Sequence, residues 1–119
     1  MKKGGSIKIM YEYKAKIIDV YDGDTFTFEV DLGFSIKVTE KIRLAGINTP
    51  EVKGVEKEKG FEVRDFVREK ILGKEVKIRV YKKGKFGRYV AEVILDDGTD
   101  LTKLLLDKQM GKEFMKDDY

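Results

Sequence analysis

The stretch 26–44 limits the possible folds most, because apolar side chains occupy alternate positions on both sides of a glycine. A period of two residues is typical of a half-buried strand, so each arm predicts a strand, with Gly33 as the turn between them. The stretch is therefore expected to form a long antiparallel hairpin. Its apolar positions are Phe26, Phe28, Val30, Leu32, Ile36, Val38, Ile42 and Leu44.

The register of this hairpin decides which polar residues meet at its open end. The apolar pattern pairs Phe26 with Ile42, and the same register places Thr25 opposite Arg43. Asp24 then lies within about one residue's rise, ~3.4 Å, of Arg43 along the ladder. An acidic and a basic side chain are therefore expected to meet there.

The directions of these two side chains need a local irregularity. Strict alternation turns Asp24 inward and Arg43 outward. If both act at one site, we expect a bulge near Glu40 or the flexible Gly46 to redirect one of them.

The rest of the chain adds strands and helices in the order of a small barrel. Alternation predicts a first strand over 13–20, with Ala15, Ile17 and Asp19 on one face. Helical spacing predicts a helix over 55–72, followed by strands over 75–81 and 89–95. A short helix begins near Leu101, with Thr99 or Asp100 as its cap.

This order predicts a mainly β protein with helices. Three meandering strands, a helix, two strands and a last helix match a five-stranded OB-fold Greek-key barrel, with a helix between strands 3 and 4 and a C-terminal helix. An open mixed sheet is the alternative. The 119 residues are expected to form one domain over 13–119, preceded by a flexible or loosely ordered segment over 1–12.

The composition excludes several kinds of chemistry. The chain contains no Cys and no His, so a histidine-based triad, a thiolate nucleophile and the usual zinc site are all impossible. Any metal is then a hard, oxygen-bound ion such as Ca²⁺, Mg²⁺ or Mn²⁺. A net charge of +3 permits a polyanionic partner without demonstrating one.

No apolar run approaches the ~18 residues of a membrane span, and residues 1–10 lack an apolar signal-peptide core. The sequence as given therefore predicts a cytoplasmic protein without membrane contact, or a secreted one if a leader has been removed. We expect a monomer without an obligate protein partner.

Polar residues with chemical potential gather in three short motifs. They are Asp22-Gly23-Asp24-Thr25, then Arg43-Leu44-x-Gly46-Ile47-Asn48-Thr49-Pro50-Glu51, and then Gly87-Arg88-x-x-Ala91. Each acidic motif alone is also a common turn, and each arginine alone is also a common surface residue. The chain has 20 Lys and only 5 Arg, so arginines in two of the motifs go against its own composition.

In order and spacing, these motifs resemble the staphylococcal nuclease-like, or thermonuclease, family over roughly residues 13–110. The resemblance implies an OB barrel that hydrolyses phosphodiesters of DNA and RNA with one Ca²⁺ ion. By the same resemblance, Asp24 is a carboxylate ligand of the metal, Asn48 holds the second ligand position and Thr49 offers its backbone carbonyl. Most members have Asp where this chain has Asn48, which is expected to weaken cation binding.

The resemblance also assigns the chemistry of the reaction. Glu51 matches the glutamate that activates the attacking water, and Arg43 and Arg88 match the two arginines that bind the phosphate. Guanidinium groups suit this role because their planar forks fit phosphate oxygens. Lys85 and Phe86 match a basic and aromatic pair that contacts substrate.

Two other functions remain open from the sequence. A degenerate member of this kind would be catalytically weak or inactive and would bind single-stranded nucleic acid as an OB module. A structural or ion-binding domain would require all the motifs to be accidental.

Overall fold

The computed structural model describes residues 11–83 and 87–114. Within these residues the chain forms seven strands and two α-helices, with a short 3₁₀ turn at Gly54–Glu56 before the first helix. In chain order the elements are β1 (Tyr11–Asp22), β2 (Thr25–Gly33), β3 (Ile36–Leu44), β4 (Ile47–Asn48), α1 (Lys57–Ile71), β5 (Glu75–Lys83), β6 (Tyr89–Ile94), α2 (Leu101–Asp107) and β7 (Lys112–Glu113).

Five strands close into a barrel in the order β1, β2, β3, β6, β5. Neighbouring strands are antiparallel except β3 and β6, which run parallel. The helix α1 lies between β4 and β5 in sequence, and α2 follows β6. This arrangement confirms the predicted mainly β OB-type barrel with its two helices. Closure pairs the strand edges that an open sheet would expose.

The hairpin of β2 and β3 has the predicted register. Phe26 pairs with Ile42, and Thr25 pairs with Arg43. Its turn is formed by Phe34 and Ser35, which both have positive φ angles, of 53° and 63°. The hairpin therefore delivers Arg43 to the end of the barrel where β1 turns into β2.

Strand β1 departs from the predicted alternation. Its pairing with β2 shifts between Ile17 and Asp19, and again between Val20 and Asp22. The first shift exposes Asp19 and buries Val20, and Asp22 is buried two residues further on, so the expectation that Asp19 shares the face of Ile17 is wrong. The physical reason is that one extra residue reverses which side chains point inward.

The core fills the barrel and the space between the barrel and α1. The helix contributes Gly60, Val63, Val67 and Ile71, all of them buried, at the spacing of one helical face. The second helix is capped by Asp100, whose carboxylate accepts a hydrogen bond from the Lys103 N–H at 3.3 Å. Neither helix within the described residues has the length and apolar character needed to cross a membrane.

Candidate active site

Asp24 lies in the turn between β1 and β2, and it is only 6% exposed. Its Oδ2 atom accepts a hydrogen bond from the Thr49 backbone N–H at 2.9 Å, and its Oδ1 atom accepts one from the Thr25 hydroxyl at 3.3 Å. The bulge expected near Glu40 is absent, because the pairing of β2 with β3 is regular there. Asp24 escapes the alternation because it precedes the first residue of β2.

A glycine permits this turn to sit close to the rest of the site. A Cβ atom added to Gly23 would come within 2.6 Å of a methyl group of Val63 and 2.8 Å of the Thr49 hydroxyl oxygen. Contacts this short are not tolerated, so any other residue would push the turn away from α1 and from Thr49. Gly23 therefore holds Asp24 against the segment that carries Asn48 and Thr49.

Arg43 is buried within a network of oxygens. Its Nη1 group donates to the carbonyls of Leu44 at 3.0 Å and Ile47 at 2.8 Å, and it lies 3.2 Å from Asp24 Oδ2. Its Nη2 group donates to Asn48 Oδ1 at 3.1 Å. The guanidinium group therefore lies between two of the predicted metal ligands.

The chain around Arg43 bends to make this network possible. Gly46 has a φ angle of +87°, which a residue with a Cβ atom adopts only with strain, and the resulting turn brings the Ile47 carbonyl back to the arginine. On its other side, the guanidinium carbon lies 5.3 Å from the centre of the Phe114 ring. The bend expected at Gly46 is therefore present, and it gives Arg43 partners inside the protein.

Glu51 and Arg88 line one open cavity of about 430 Å³ at the same end of the barrel. Asp22 also lines it, together with Lys41 and Lys53. Glu51 is exposed, and Arg88 is half-buried and donates to the Thr25 hydroxyl at 3.3 Å. A carboxylate and cationic groups therefore face one space that is open to solvent.

The backbone of Glu51 is held by the first helix. A Cβ atom added to Gly60 would lie 2.0 Å from the Glu51 carbonyl oxygen, so α1 and this loop are in direct backbone contact. The Glu51 N–H also donates to a carboxylate oxygen of Glu56 at 3.4 Å. Helix α1 thus positions Glu51 at the cavity while its side chain remains exposed.

Asp22 belongs to the first motif, but the sequence assigned it no role in the site. Desolvation by burial, and then the negative charge of Asp24, raise the pKa of the Asp22 carboxyl from its ordinary value of 3.8 to about 7. One of its oxygens accepts a hydrogen bond from the Asp24 N–H at 3.1 Å. Alternation from a buried Val20 would have placed Asp22 inside, but the bulge between Ile17 and Asp19 that turns Val20 inward has no mark in the sequence.

The predicted site residues fall into two groups. Asp24, Arg43, Asn48 and Thr49 are connected by hydrogen bonds within the protein, which we call the inner network. Glu51 and Arg88 line the 430 Å³ cavity, which we call the outer cavity. Asn48 and Thr49 also line a second cavity, of about 280 Å³. Lys85 and Phe86 lie outside the described residues.

The oxygens near Asp24 are suitable donors for a hard cation. The implied set consists of the Asp24 carboxylate, the Asn48 amide oxygen and the Thr49 carbonyl, which are the donor types that Ca²⁺ prefers. Within residues 11–83 and 87–114, no three carboxylates come together as a metal-binding group. Two observations favour the fit: Asp22 and Asp24 are buried side by side, and the buried Thr49 hydroxyl has no hydrogen-bond partner among the described residues.

A closed five-stranded barrel with buried carboxylates and two arginines at one end defines an OB-type domain with a site suited to a phosphate and a cation. Residues 41–117, more than half of the chain, match the family model described as staphylococcal nuclease homologue. The chain therefore belongs to the staphylococcal nuclease family, as the motifs predicted. Among curated proteins, none matches the chain.

Proposed function

We propose that this protein is a metal-dependent nuclease that hydrolyses phosphodiester bonds of DNA and RNA with little sequence specificity. Membership of the staphylococcal nuclease family supports a nuclease-like function. The observation that carries the proposal is the outer cavity, because Glu51 and Arg88 face the same solvent-filled space at the end of the barrel. A general base and a phosphate-binding group are the minimum that the reaction requires.

Glu51 acts as the base that takes a proton from the attacking water. Its exposed carboxylate is available to a water molecule in the cavity, and the chain offers no histidine for this role. The backbone contact between Gly60 and Glu51 supports the role, since it fixes the position from which the carboxylate extends. The water then attacks phosphorus from the side opposite the leaving oxygen.

Arg88 binds the phosphate and stabilises the charge that builds up on it. A guanidinium group donates two parallel hydrogen bonds to phosphate oxygens, and this geometry strengthens as negative charge develops. The bond to the Thr25 hydroxyl orients Arg88 from the hairpin. Lys41 and Lys53, on the same cavity, add positive charge that attracts the polyanionic backbone.

Arg43 contributes from the inner network. It compensates the buried charge of Asp24 and holds the Asn48 amide, and its own charge adds to the positive potential at the site. Its Nη2 group carries two N–H donors, so a direct bond to a phosphate does not require the bond to Asn48 to break. A Ca²⁺ ion held by Asp24, Asn48 and the Thr49 carbonyl would supply a Lewis acid for the phosphate oxygen.

The test is cleavage of labelled single-stranded DNA and RNA by the purified protein, with a Ca²⁺ titration and a chelator control. Glu51→Gln is expected to abolish cleavage, because the amide accepts no proton from water. Glu62→Gln is the matched control, since Glu62 is an exposed glutamate on α1 that pairs with Lys59 at 3.0 Å, and it should retain full activity.

Two results would contradict the proposal. Cleavage that persists in Glu51→Gln would come from a contaminating nuclease or from another base. Binding of the strand without cleavage at any concentration of Ca²⁺, Mg²⁺ or Mn²⁺ would instead identify a nucleic-acid-binding OB module.

A further inference from the structure

A further cavity, of about 290 Å³, opens elsewhere on the barrel, and it is largely apolar and aromatic. Tyr11, Tyr13 and Tyr89 line it together with Phe28, and we call it the tyrosine groove. The rings of Tyr11 and Tyr13 are stacked, with centroids 6.0 Å apart and planes inclined by 25°. Tyr11 is 58% exposed, so an aromatic surface is presented to solvent.

One carboxylate lies in the wall of this groove. Glu40 pairs with Phe28 across the hairpin and belongs to the inward-facing series of β3, which places it on the groove and not on the outer surface. It forms no hydrogen bond or ion pair with any residue in the described ranges. A half-buried carboxylate among aromatic rings is complementary to a flat ligand that presents N–H donors.

We propose that the tyrosine groove binds a guanine base, which stacks on the tyrosine rings and donates its N1–H and N2–H groups to the Glu40 carboxylate. An ionised carboxylate only accepts hydrogen bonds. Guanine presents two adjacent donors on one edge and so matches both oxygens. Adenine and cytosine place an acceptor nitrogen beside their amino group, and uracil and thymine flank their single N–H with two carbonyls.

Consecutive residues of two strands line the groove and the outer cavity. Arg88 lines the outer cavity, and the next residue, Tyr89, lines the tyrosine groove. Lys41 and Glu40 show the same relation on the neighbouring strand β3. Successive side chains of a strand point to opposite faces, so the two spaces lie on either side of the sheet at the start of β6. A nucleic-acid strand would have to pass over this edge of the barrel to place a base in the groove and a phosphate at Arg88.

The inference rests on the proposed function for its choice of ligand, since a nuclease must accommodate bases beside the bond that it cleaves. The rival occupant is an organic cation, such as an arginine side chain of a partner protein, which would also suit aromatic rings and a carboxylate. The adjoining lysines of the outer cavity favour the polyanionic strand over a cation.

The experiment is a titration of the full chain with the 5′-monophosphates of guanosine, inosine and adenosine, in chelator, followed through the tyrosine ring signals in NMR spectra. Inosine keeps N1–H and lacks the N2 amino group, so it isolates one hydrogen bond. The protein is expected to bind the guanosine nucleotide about tenfold more tightly than the other two. Tyr11→Ala should weaken all three by a similar factor, because stacking does not distinguish purines.

Glu40→Gln should remove the preference for guanosine, because the carboxamide no longer offers two acceptor oxygens. Glu29→Gln is the matched control, because Glu29 lies on the opposite face of the hairpin, 4.0 Å from Lys37, and it should keep the preference. Equal affinities in the unmodified protein, or a preference that survives Glu40→Gln, would overturn the inference. Tighter binding of arginine methyl ester than of any nucleotide would overturn it in favour of a cation site.

The proposed function can fail independently of the groove. A guanosine preference in a protein that cleaves nothing would support the groove and refute the nuclease. Cleavage that depends on Glu51, by a protein without base preference, would support the nuclease and refute the groove.

Discussion

The two arginines of the site have opposite surroundings, although the motifs imply the same role for both. Arg43 is 8% exposed, and its guanidinium group contacts two carbonyls, a carboxylate and an amide of the protein itself. Arg88 is half-buried, lines an open cavity and donates to the Thr25 hydroxyl. Position in a motif therefore does not determine what an arginine contacts.

Because their surroundings differ, replacing Arg43 and replacing Arg88 are expected to affect different properties of the protein. A buried charge whose partner is removed is strongly destabilising, because the remaining charge is left without compensation in a poorly solvated place. When an arginine at an open cavity is replaced, water can solvate the charges that it leaves behind. We therefore expect the inner network to contribute mainly to folding and cation binding, and the outer cavity mainly to the reaction.

The largest expected effect is the loss of stability in Arg43→Met. The substitution leaves the buried Asp24 carboxylate without its counter-ion at 3.2 Å, and the free energy of unfolding should fall by about 3–5 kcal/mol. Urea denaturation in chelator measures this change. The control is Arg79→Met, since Arg79 is a partly exposed arginine on β5 that pairs with Glu12 at 2.9 Å, and its loss should cost less than about 1 kcal/mol. Similar losses of stability in both variants would mean that the buried position of Arg43 adds nothing to its contribution.

Arg88→Ala should lower the rate of cleavage and leave the stability almost unchanged. Removal of one donor to a developing phosphate charge typically lowers the rate by about 10²-fold or more, while the stability should change by less than about 1 kcal/mol. Single-turnover cleavage assays and thermal unfolding measure the two quantities on the same sample. Arg64→Ala is the control, because Arg64 is a half-buried arginine of α1 that pairs with Asp65 at 3.0 Å and does not line the outer cavity, and it is expected to change neither. Full activity in Arg88→Ala would remove this arginine from the reaction.

The sequence predicts which residues come together at the site better than it predicts what each of them contacts. The pairing of Thr25 with Arg43 followed from the regular period of the hairpin, and a regular ladder transmits register over its whole length. The burial of Asp22 did not follow, because the bulge between Ile17 and Asp19 reverses the alternation and nothing in the local composition marks it.

The contacts of Arg43 were equally hidden from the sequence. They depend on how the turn at Gly46 folds back and on the position of Phe114, which lies far along the chain. Such contacts are properties of the closed barrel, and no period or motif encodes them. The motifs assign Asn48 to the metal and Arg43 to the phosphate. In the structure, the Asn48 amide oxygen instead accepts a hydrogen bond from the Arg43 Nη2 group at 3.1 Å.

Asp22→Asn should stabilise the metal-free protein. The raised pKa means that ionised Asp22 costs stability in the folded state, a cost that is complete above about pH 7 and vanishes below about pH 4. The variant should be more stable by about 1–2 kcal/mol at pH 8, after allowance for solvent screening, with no difference from the parent near pH 4. The amide oxygen still accepts the Asp24 N–H, so the turn is preserved.

Thermal unfolding in chelator at several pH values measures this difference. Asp19→Asn is the matched control, because Asp19 lines the same cavity but is exposed, and its replacement should leave the pH dependence unchanged. The opposite result, with Asp22→Asn less stable than the parent at pH 8, would contradict this prediction. It would mean that positive charge near Asp22 stabilises its ionised carboxylate in the folded state.

Asn48→Asp should have the smallest effect, a three- to tenfold tightening of Ca²⁺ binding in calorimetry, which is about 1 kcal/mol. The added carboxylate raises the charge of the donor set, but it also strengthens the bond to the Arg43 Nη2 group, which lies 3.1 Å from the present amide oxygen. The two consequences oppose each other, because the cation and Arg43 attract the same oxygen. Unchanged affinity in this variant and in Asn48→Ala would exclude direct ligation by residue 48 and would leave it as a partner of Arg43 alone.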